Sequence, residues 1–191
     1  MNITSFLVYC FIVTFTPGPT NIVILSTVNN DGTKKAMHYT YGATIAFGLL
    51  LASSAVLNTV LIAVIPKILI YMQIVGSGYM LYLAYQIYKT DTSKPAAVQS
   101  SSFLSGFWMQ FLNPKVVLFT LTVIPSFVLP YYTAASAVTI SVLAITVIGF
   151  SAFMAWVLFG AIFKKFLQQH KKAVNVLMAV FLAYAAAMLW V

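Results

Sequence analysis

The chain is short of charge. Only 6% of its 191 residues are Asp, Glu, Lys or Arg, where a soluble domain carries about 25%. With 62% hydrophobic residues and a mean hydropathy of +0.98, it lacks the polar surface needed to face water on all sides, which excludes a soluble globular domain. Acid is scarcer still. Asp31 and Asp91 are its only acidic residues, and it has no Glu and no Arg. The single Cys10 excludes an intrachain disulfide and a cysteine-based metal cluster. His38 and His170 have no partner at metal-ligand spacing, so no metal and no cofactor is expected. No phosphate-binding loop is present, which excludes an ATP-driven pump in one chain. The N-terminus has no charged leader and no A-x-A site, so a cleaved signal peptide is not expected. A net charge of +8 raises the question of nucleic acid. All ten basic residues are lysines, and nearly all lie in short loops between apolar stretches, where membrane orientation signals belong.

What the chain does have is six apolar stretches, at about 3–28, 39–65, 68–88, 103–129, 133–163 and 173–190. Most exceed the ~20 residues that cross a bilayer core. Their length favours helices over barrel strands, which need only about 9–11 alternating residues. The expected fold is an all-α integral membrane protein with six transmembrane helices in one domain, 1–191. A polar linker at 89–102 divides it into a repeat of about 1–88 and a repeat of about 103–191. Three spans used twice must be inverted the second time. Eight lysines fall in the loops after spans 1, 3 and 5; Lys67 alone falls on the other side, and Lys115 lies inside span 4. The positive-inside rule therefore puts both termini outside the cytoplasm.

Two stretches break the helical pattern. Span 1 holds PGP at 17–19 and span 4 holds NPK at 113–115. Each proline removes a backbone donor and clashes with the preceding turn, at about 3 kcal/mol or more. Pro17 is fourteen residues into its span and Pro114 eleven, depths of roughly 21 and 17 Å in a core of about 30 Å. The spans run in opposite directions, so both breaks fall near mid-membrane. Backbone groups freed at that depth must face protein, water or a solute. The N–H groups after a break suit a carboxylate, and the carbonyls before it suit an ammonium group or a cation. A zwitterionic amino acid carries both charges, and paired broken helices in two halves point to a transporter binding site.

At these residues the chain resembles the LysE/RhtB superfamily of amino-acid exporters. The motifs are TPGPTN at 16–21, IVGSGYMLYLAYQIYK at 74–89 and SFLSGFWMQFLNPKVVLFTLTVIPSFV at 102–128, and the likeness extends over nearly the whole chain. FVLP at 127–130 and SVLAITVIGFSAFMAW at 141–156 are most similar to the cysteine and O-acetylserine exporter branch. The resemblance implies efflux of amino acids or close derivatives across the inner membrane by proton antiport, and no enzyme activity. Lysine and arginine exporters often carry an acid after the glycine of span 2. GATIAFGLLLASS at 42–54 has none, so a dibasic substrate would lack a counter-ion. Small neutral substrates of the cysteine/O-acetylserine or homoserine/threonine type fit better. The expected partners are the amino acid and membrane lipid, with a homo-oligomer left open and no nucleic acid.

The expected substrate-binding residues are Thr16, Pro17, Gly18, Pro19, Thr20, Asn21, Asn113, Pro114 and Lys115. Lys115 is the most informative. A lysine at mid-membrane costs at least about 2.5–3.5 kcal/mol, and the N-terminal end of a half-helix works against its charge as well. It is the candidate carboxylate anchor or proton carrier; the bland alternative is a lysine that snorkels to water. Asn21 and Asn113 offer donors and acceptors beside the breaks, to cap helix ends or to read a substrate. Thr16, Thr20 and Gln110 are weaker candidates of that kind. Gly42, Gly48, Gly76 and Gly78 read as helix-packing positions. Tyr79, Tyr82 and Tyr85 could line a cavity or form an interfacial belt. A passive channel, or a subunit of a larger assembly, competes with the exporter. A membrane-embedded enzyme stands further back, because two Asp, two His and one Cys supply little chemistry.

Overall fold

The computed structural model describes residues 2–89, 102–187 and 190. Residues 90–101, most of the expected linker with Asp91 and Lys94, lie outside the described residues. Among the described residues the fold is all helix, with no strand. α1 (Ile3–Phe15) and α2 (Pro19–Asn30) form a pair bent by 48°. α3 (Thr33–Val56) and α4 (Asn58–Lys89) follow. α5 (Phe103–Leu112) and α6 (Pro114–Val123), which continues through a π turn (Ile124–Val128), form a second pair bent by 67°. α7 (Ala135–Ile162), α8 (Lys164–Gln169) and α9 (Lys171–Ala187) complete the order. Among the described residues α3 and α7 are each long and apolar enough to cross a membrane, and counting each bent pair as one span raises the number to four.

The helices start where local chemistry starts them. The Asn2 side chain caps α1 by accepting from the Ser5 N–H at 3.1 Å, and Ser102 caps α5 by accepting from the Ser105 N–H at 3.2 Å. Pro19 and Pro114 open α2 and α6 at the first helical turn, where a missing N–H costs nothing. Asp31 and Gly32 make the turn into α3, with Gly32 at φ 95°. One boundary differs from the sequence pattern. Pro66 and Lys67 read as the loop between the second and third apolar stretches, but the turn falls at Leu57 and α4 runs on through both residues. A membrane helix tolerates a proline when the freed carbonyl finds another partner, so a proline and a lysine together do not make a loop.

Between apolar helices in lipid the hydrophobic effect contributes little, and close packing decides which faces meet. α3 crosses α5 backbone to backbone. A Cβ on Gly42 would overlap the Phe103 carbonyl, and one on Gly106 the Tyr39 carbonyl. Gly76 of α4 lies against the second break, its would-be Cβ 2.9 Å from the Leu112 carbonyl oxygen and 3.2 Å from Pro114 Cδ. Gly48 packs on Thr146, whereas nothing described lies within 4 Å of a Cβ on Gly78, so that glycine is no packing position here. α3 also packs on α7, α7 on α1 and α2, and α4 on α9. Val28, Ala36, Ile87, Leu167 and Met178 share one apolar cluster, so Lys34, Lys35, Lys89, Lys164, Lys165, Lys171 and Lys172 gather at one end of the bundle.

Candidate functional site

The two breaks meet at the centre. Lys115, in the first turn of α6, extends across to the end of α1, and its Nζ donates to the Thr16 carbonyl and to Thr16 Oγ1, both at 2.9 Å. Gly18 makes room for it: a Cβ there would stand 3.3 Å from Lys115 Cδ and Nζ. The remaining carbonyls at the end of α1 can be accounted for one by one. Thr16 N–H donates to Ile12 O and Thr16 Oγ1 to Val13 O, both at 3.1 Å. Asn21 Nδ2 donates to Thr14 O at 3.2 Å and Thr16 O at 3.0 Å. Trp156 Nε1 of α7 donates to Phe15 O at 3.2 Å. The freed carbonyls of the first break are thus satisfied by Thr16 itself and by side chains from α2, α6 and α7.

The donor side of the same break is different. Gly18 has no side chain to cap α2, and Pro19 carries no N–H. The N–H groups of Thr20 and Asn21 therefore have no capping side chain, at the positive end of a helix and beside an ammonium group. Asn21 is 3% exposed, and with its amide nitrogen committed to α1, Oδ1 is left buried without a partner among the described residues. At the second break Asn113 does the capping. Its Oδ1 accepts from the Lys115 N–H at 3.2 Å, and its Nδ2 donates to Thr20 Oγ1 at 3.1 Å. Gln110 Nε2 donates to the same Thr20 hydroxyl at 3.1 Å. Thr20, Gln110 and Asn113 are all buried, so this small network ties the start of α2 to the end of α5.

Between the breaks lies a cavity of ≈ 30 Å³, room for about two waters and too small for an amino acid. Its polar lining residues are Thr14, Thr20, Asn21, Asn113 and Lys115, and its apolar ones include Phe47, Phe119 and Phe153 with Val13 and Val116. Phe47 stacks on Phe119, with ring centroids 5.9 Å apart, and meets Phe153 edge-on at 6.4 Å. No carboxylate is among the lining residues. A larger groove, ≈ 710 Å³, runs between α3 and α7. Its Thr44, Thr139 and Thr146 hydroxyls donate to carbonyls of their own helices.

Of the residues expected from the sequence, Thr16, Gly18, Thr20, Asn21, Asn113 and Lys115 meet here. Pro19 and Pro114 are buried as the first residues of α2 and α6 and shape the breaks. Pro17 is exposed and outside the cavity lining. Gln110 is central rather than peripheral. Trp156 and the three phenylalanines went unnoticed in the sequence, since aromatic residues in an apolar span carry no local mark of the cavity they face.

The chain matches the LysE type translocator family over residues 11–191. It is 33% identical over 189 residues, 96% of this chain and 94% of the other, to the cysteine/O-acetylserine efflux protein of Klebsiella pneumoniae subsp. pneumoniae. Similar relatives include the proteins of that name in Escherichia coli (strain HS) and Shigella flexneri, each 30% identical over 187 residues, covering 96% of this chain and 95% of theirs. No solved structure matches the chain. A match of this extent makes the chain a transporter and not an enzyme: it belongs to the LysE type translocator family.

Proposed function

We propose that the chain is a secondary exporter of small neutral amino acids of the cysteine and O-acetylserine kind, working in the inner membrane by proton antiport. The observation that carries this reading is the meeting of the two helix breaks, where Lys115 beside one reaches Thr16 beside the other. The uncapped start of α2 and the Lys115 ammonium offer a place for a carboxylate. The unpartnered Asn21 Oδ1 offers an acceptor for the substrate ammonium. The aromatic lining suits a short apolar or thiol side chain, and sulfur against rings is favourable by about 0.3–1.5 kcal/mol. Without an acid in the lining, the side chain of lysine or arginine has no counter-ion. The relatives named as cysteine/O-acetylserine efflux proteins support the same substrates.

In this reading the chain spans the membrane six times as two inverted three-span repeats, with the lysine-rich end in the cytoplasm and both termini outside. Supporting it, several helix contacts have a counterpart when the halves are exchanged: α3 meets α5 as α7 meets α1, and α4 meets α6 as α9 meets α2, although the contact of α2 with α3 has no comparable one between α6 and α7. The side-chain caps of α1 and α5, and the prolines opening α2 and α6, pair in the same way. Lys115 is the Lys, His, Asp or Glu side chain in the cavity wall, which makes it the candidate proton carrier as well as the candidate carboxylate anchor. In both roles it must release Thr16 during the cycle.

Lys115→Met tests this in proteoliposomes. It keeps the length of the side chain and removes its charge. The expected result is loss of uphill transport of O-acetyl-L-serine driven by a pH gradient, with the protein still folded. If Lys115 serves only as proton carrier, exchange of labelled for unlabelled substrate at equal pH survives; if it is the carboxylate anchor, exchange fails too. Full uphill transport by Lys115→Met would sink both roles. Wild-type protein that only equilibrates the amino acid would be a channel.

A further inference from the structure

The core differs on the two sides of the central cavity. Away from the lysines it is made of Phe6, Cys10, Leu51, Val123, Ile124 and Val128, and its buried hydroxyls are paired. Ser54 Oγ donates to the Thr120 carbonyl at 2.8 Å, and Thr120 Oγ1 to the Val117 carbonyl at 2.9 Å. Toward the lysine-rich end the buried polar side chains include Asn29, Tyr39, Thr40 and Asn175, at 4%, 1%, 0% and 2% exposure. Both amide atoms of Asn29, the Tyr39 hydroxyl, Thr40 Oγ1 and Asn175 Oδ1 have no hydrogen-bond partner among the described residues.

These four side chains belong to one end of the bundle. Asn29 is in the last turn of α2, Tyr39 and Thr40 in the second turn of α3, and Asn175 in the second turn of α9. Asn175 begins the buried stripe of α9 that continues through Met178 and Ala179. Those two residues share a cluster with Val28, next to Asn29, and with Tyr39 itself. α8 packs against α2, α7 and α9 at this end, and its Leu167 is buried in the same cluster. Buried polar groups are otherwise paired, because an unmatched donor or acceptor is costly. A group of them on three packed helices, holding both donors and acceptors, suits a ligand that is itself both donor and acceptor.

We propose that Asn29, Tyr39, Thr40 and Asn175 form a second, inner station for the ammonium and carboxylate groups of the exported amino acid, between the lysine-rich face and the helix breaks. This rests on the exporter reading. An amino acid leaving the cytoplasm loses its water here before it reaches Lys115, and the station replaces that hydration in part. Beyond the breaks, among the described residues, Asn58 Oδ1 at the α3–α4 turn is a single unpartnered atom rather than a group, so the station belongs to the side from which the substrate comes.

The test is accessibility. In a Cys10→Ala background, cysteine is introduced as Asn29→Cys, as Asn175→Cys and, for the far side, as Ser54→Cys. Inside-out vesicles and intact cells are treated with a membrane-impermeant sulfonated thiol reagent, with and without O-acetyl-L-serine. The same vesicles are assayed for uptake of labelled O-acetyl-L-serine. Asn29→Cys and Asn175→Cys are expected to react from the lysine-rich face, several-fold more slowly with the amino acid present. Ser54→Cys is expected to stay unreactive from that face. Reaction without protection, or no reaction in vesicles that take up the amino acid, would overturn the inner station. Folded Cys10→Ala protein that takes up no neutral amino acid would overturn the exporter reading, and the station with it.

Discussion

The first and second helix breaks look alike in sequence and are held in different ways. The second is clamped by backbone. α5 lies on α3 where Gly42 and Gly106 allow carbonyl groups to touch the opposite helix, and Gly76 of α4 backs Leu112 and Pro114. Its own Asn113 caps the start of α6. The first break is held by side chains from elsewhere: Lys115 and Trp156 on the carbonyls of α1, and Gln110 and Asn113 on Thr20. Side-chain bonds exchange partners far more readily than backbone contacts slide. The second break is thus held by backbone contacts and the first by side chains, and the uncapped donors sit on the first.

The largest expected effect tests the clamp. Gly106→Ala puts a methyl group into the Tyr39 carbonyl, where neither backbone can yield. Overpacking of a core costs about 1–3 kcal/mol and more where nothing can shift, so the yield of folded protein on size exclusion should collapse. Gly160→Ala, where α7 packs on α2, meets only side chains, Val28 at 3.0 Å and Leu25 at 3.1 Å, and should lose much less. Equal losses would dissolve the contrast between a backbone clamp and a side-chain one.

Next comes the tie between the breaks. Thr20→Val keeps the shape and removes the hydroxyl that accepts from Gln110 and Asn113. Each orphaned donor costs about 1–3 kcal/mol, so the melting temperature in detergent should fall clearly. An unchanged melting temperature would mean that the network does not hold the breaks together.

A smaller effect separates the two N-termini. Asn113→Ala removes a cap, which costs about 0.5–2 kcal/mol of stability. Gly18→Ala has no cap to lose, but its methyl group crowds the Lys115 side chain at 3.3 Å. It should leave the melting temperature nearly unchanged and raise the substrate concentration needed for half-maximal uptake. The reverse pattern would exchange the roles given to the two breaks. The smallest effect is expected for Trp156→Phe, which removes one neutral hydrogen bond to Phe15 O, worth about 0.5–1.5 kcal/mol. A thermal shift above that of Thr20→Val would make α7, rather than α6, the main holder of α1.

Much of this was legible in the sequence for a local reason. Proline, glycine and asparagine act on their own backbone, so PGP and NPK located both breaks, and the apolar runs located most of the helices. Composition alone excluded a soluble fold and left an enzyme little chemistry. The α3–α4 turn was missed because Pro66 and Lys67 were read by their usual local habit, whereas α4 runs through both. Only the tertiary structure decided which group serves which break. Lys115 and Thr16 are 99 residues apart, and Trp156 and Phe15 are 141 apart. Nothing in either local sequence specifies that the carbonyls freed at one proline are met by the lysine beside the other. Hydrogen bonds follow distance in space, and that distance is set by helix packing, through glycines whose role appears only when a second backbone lies against them.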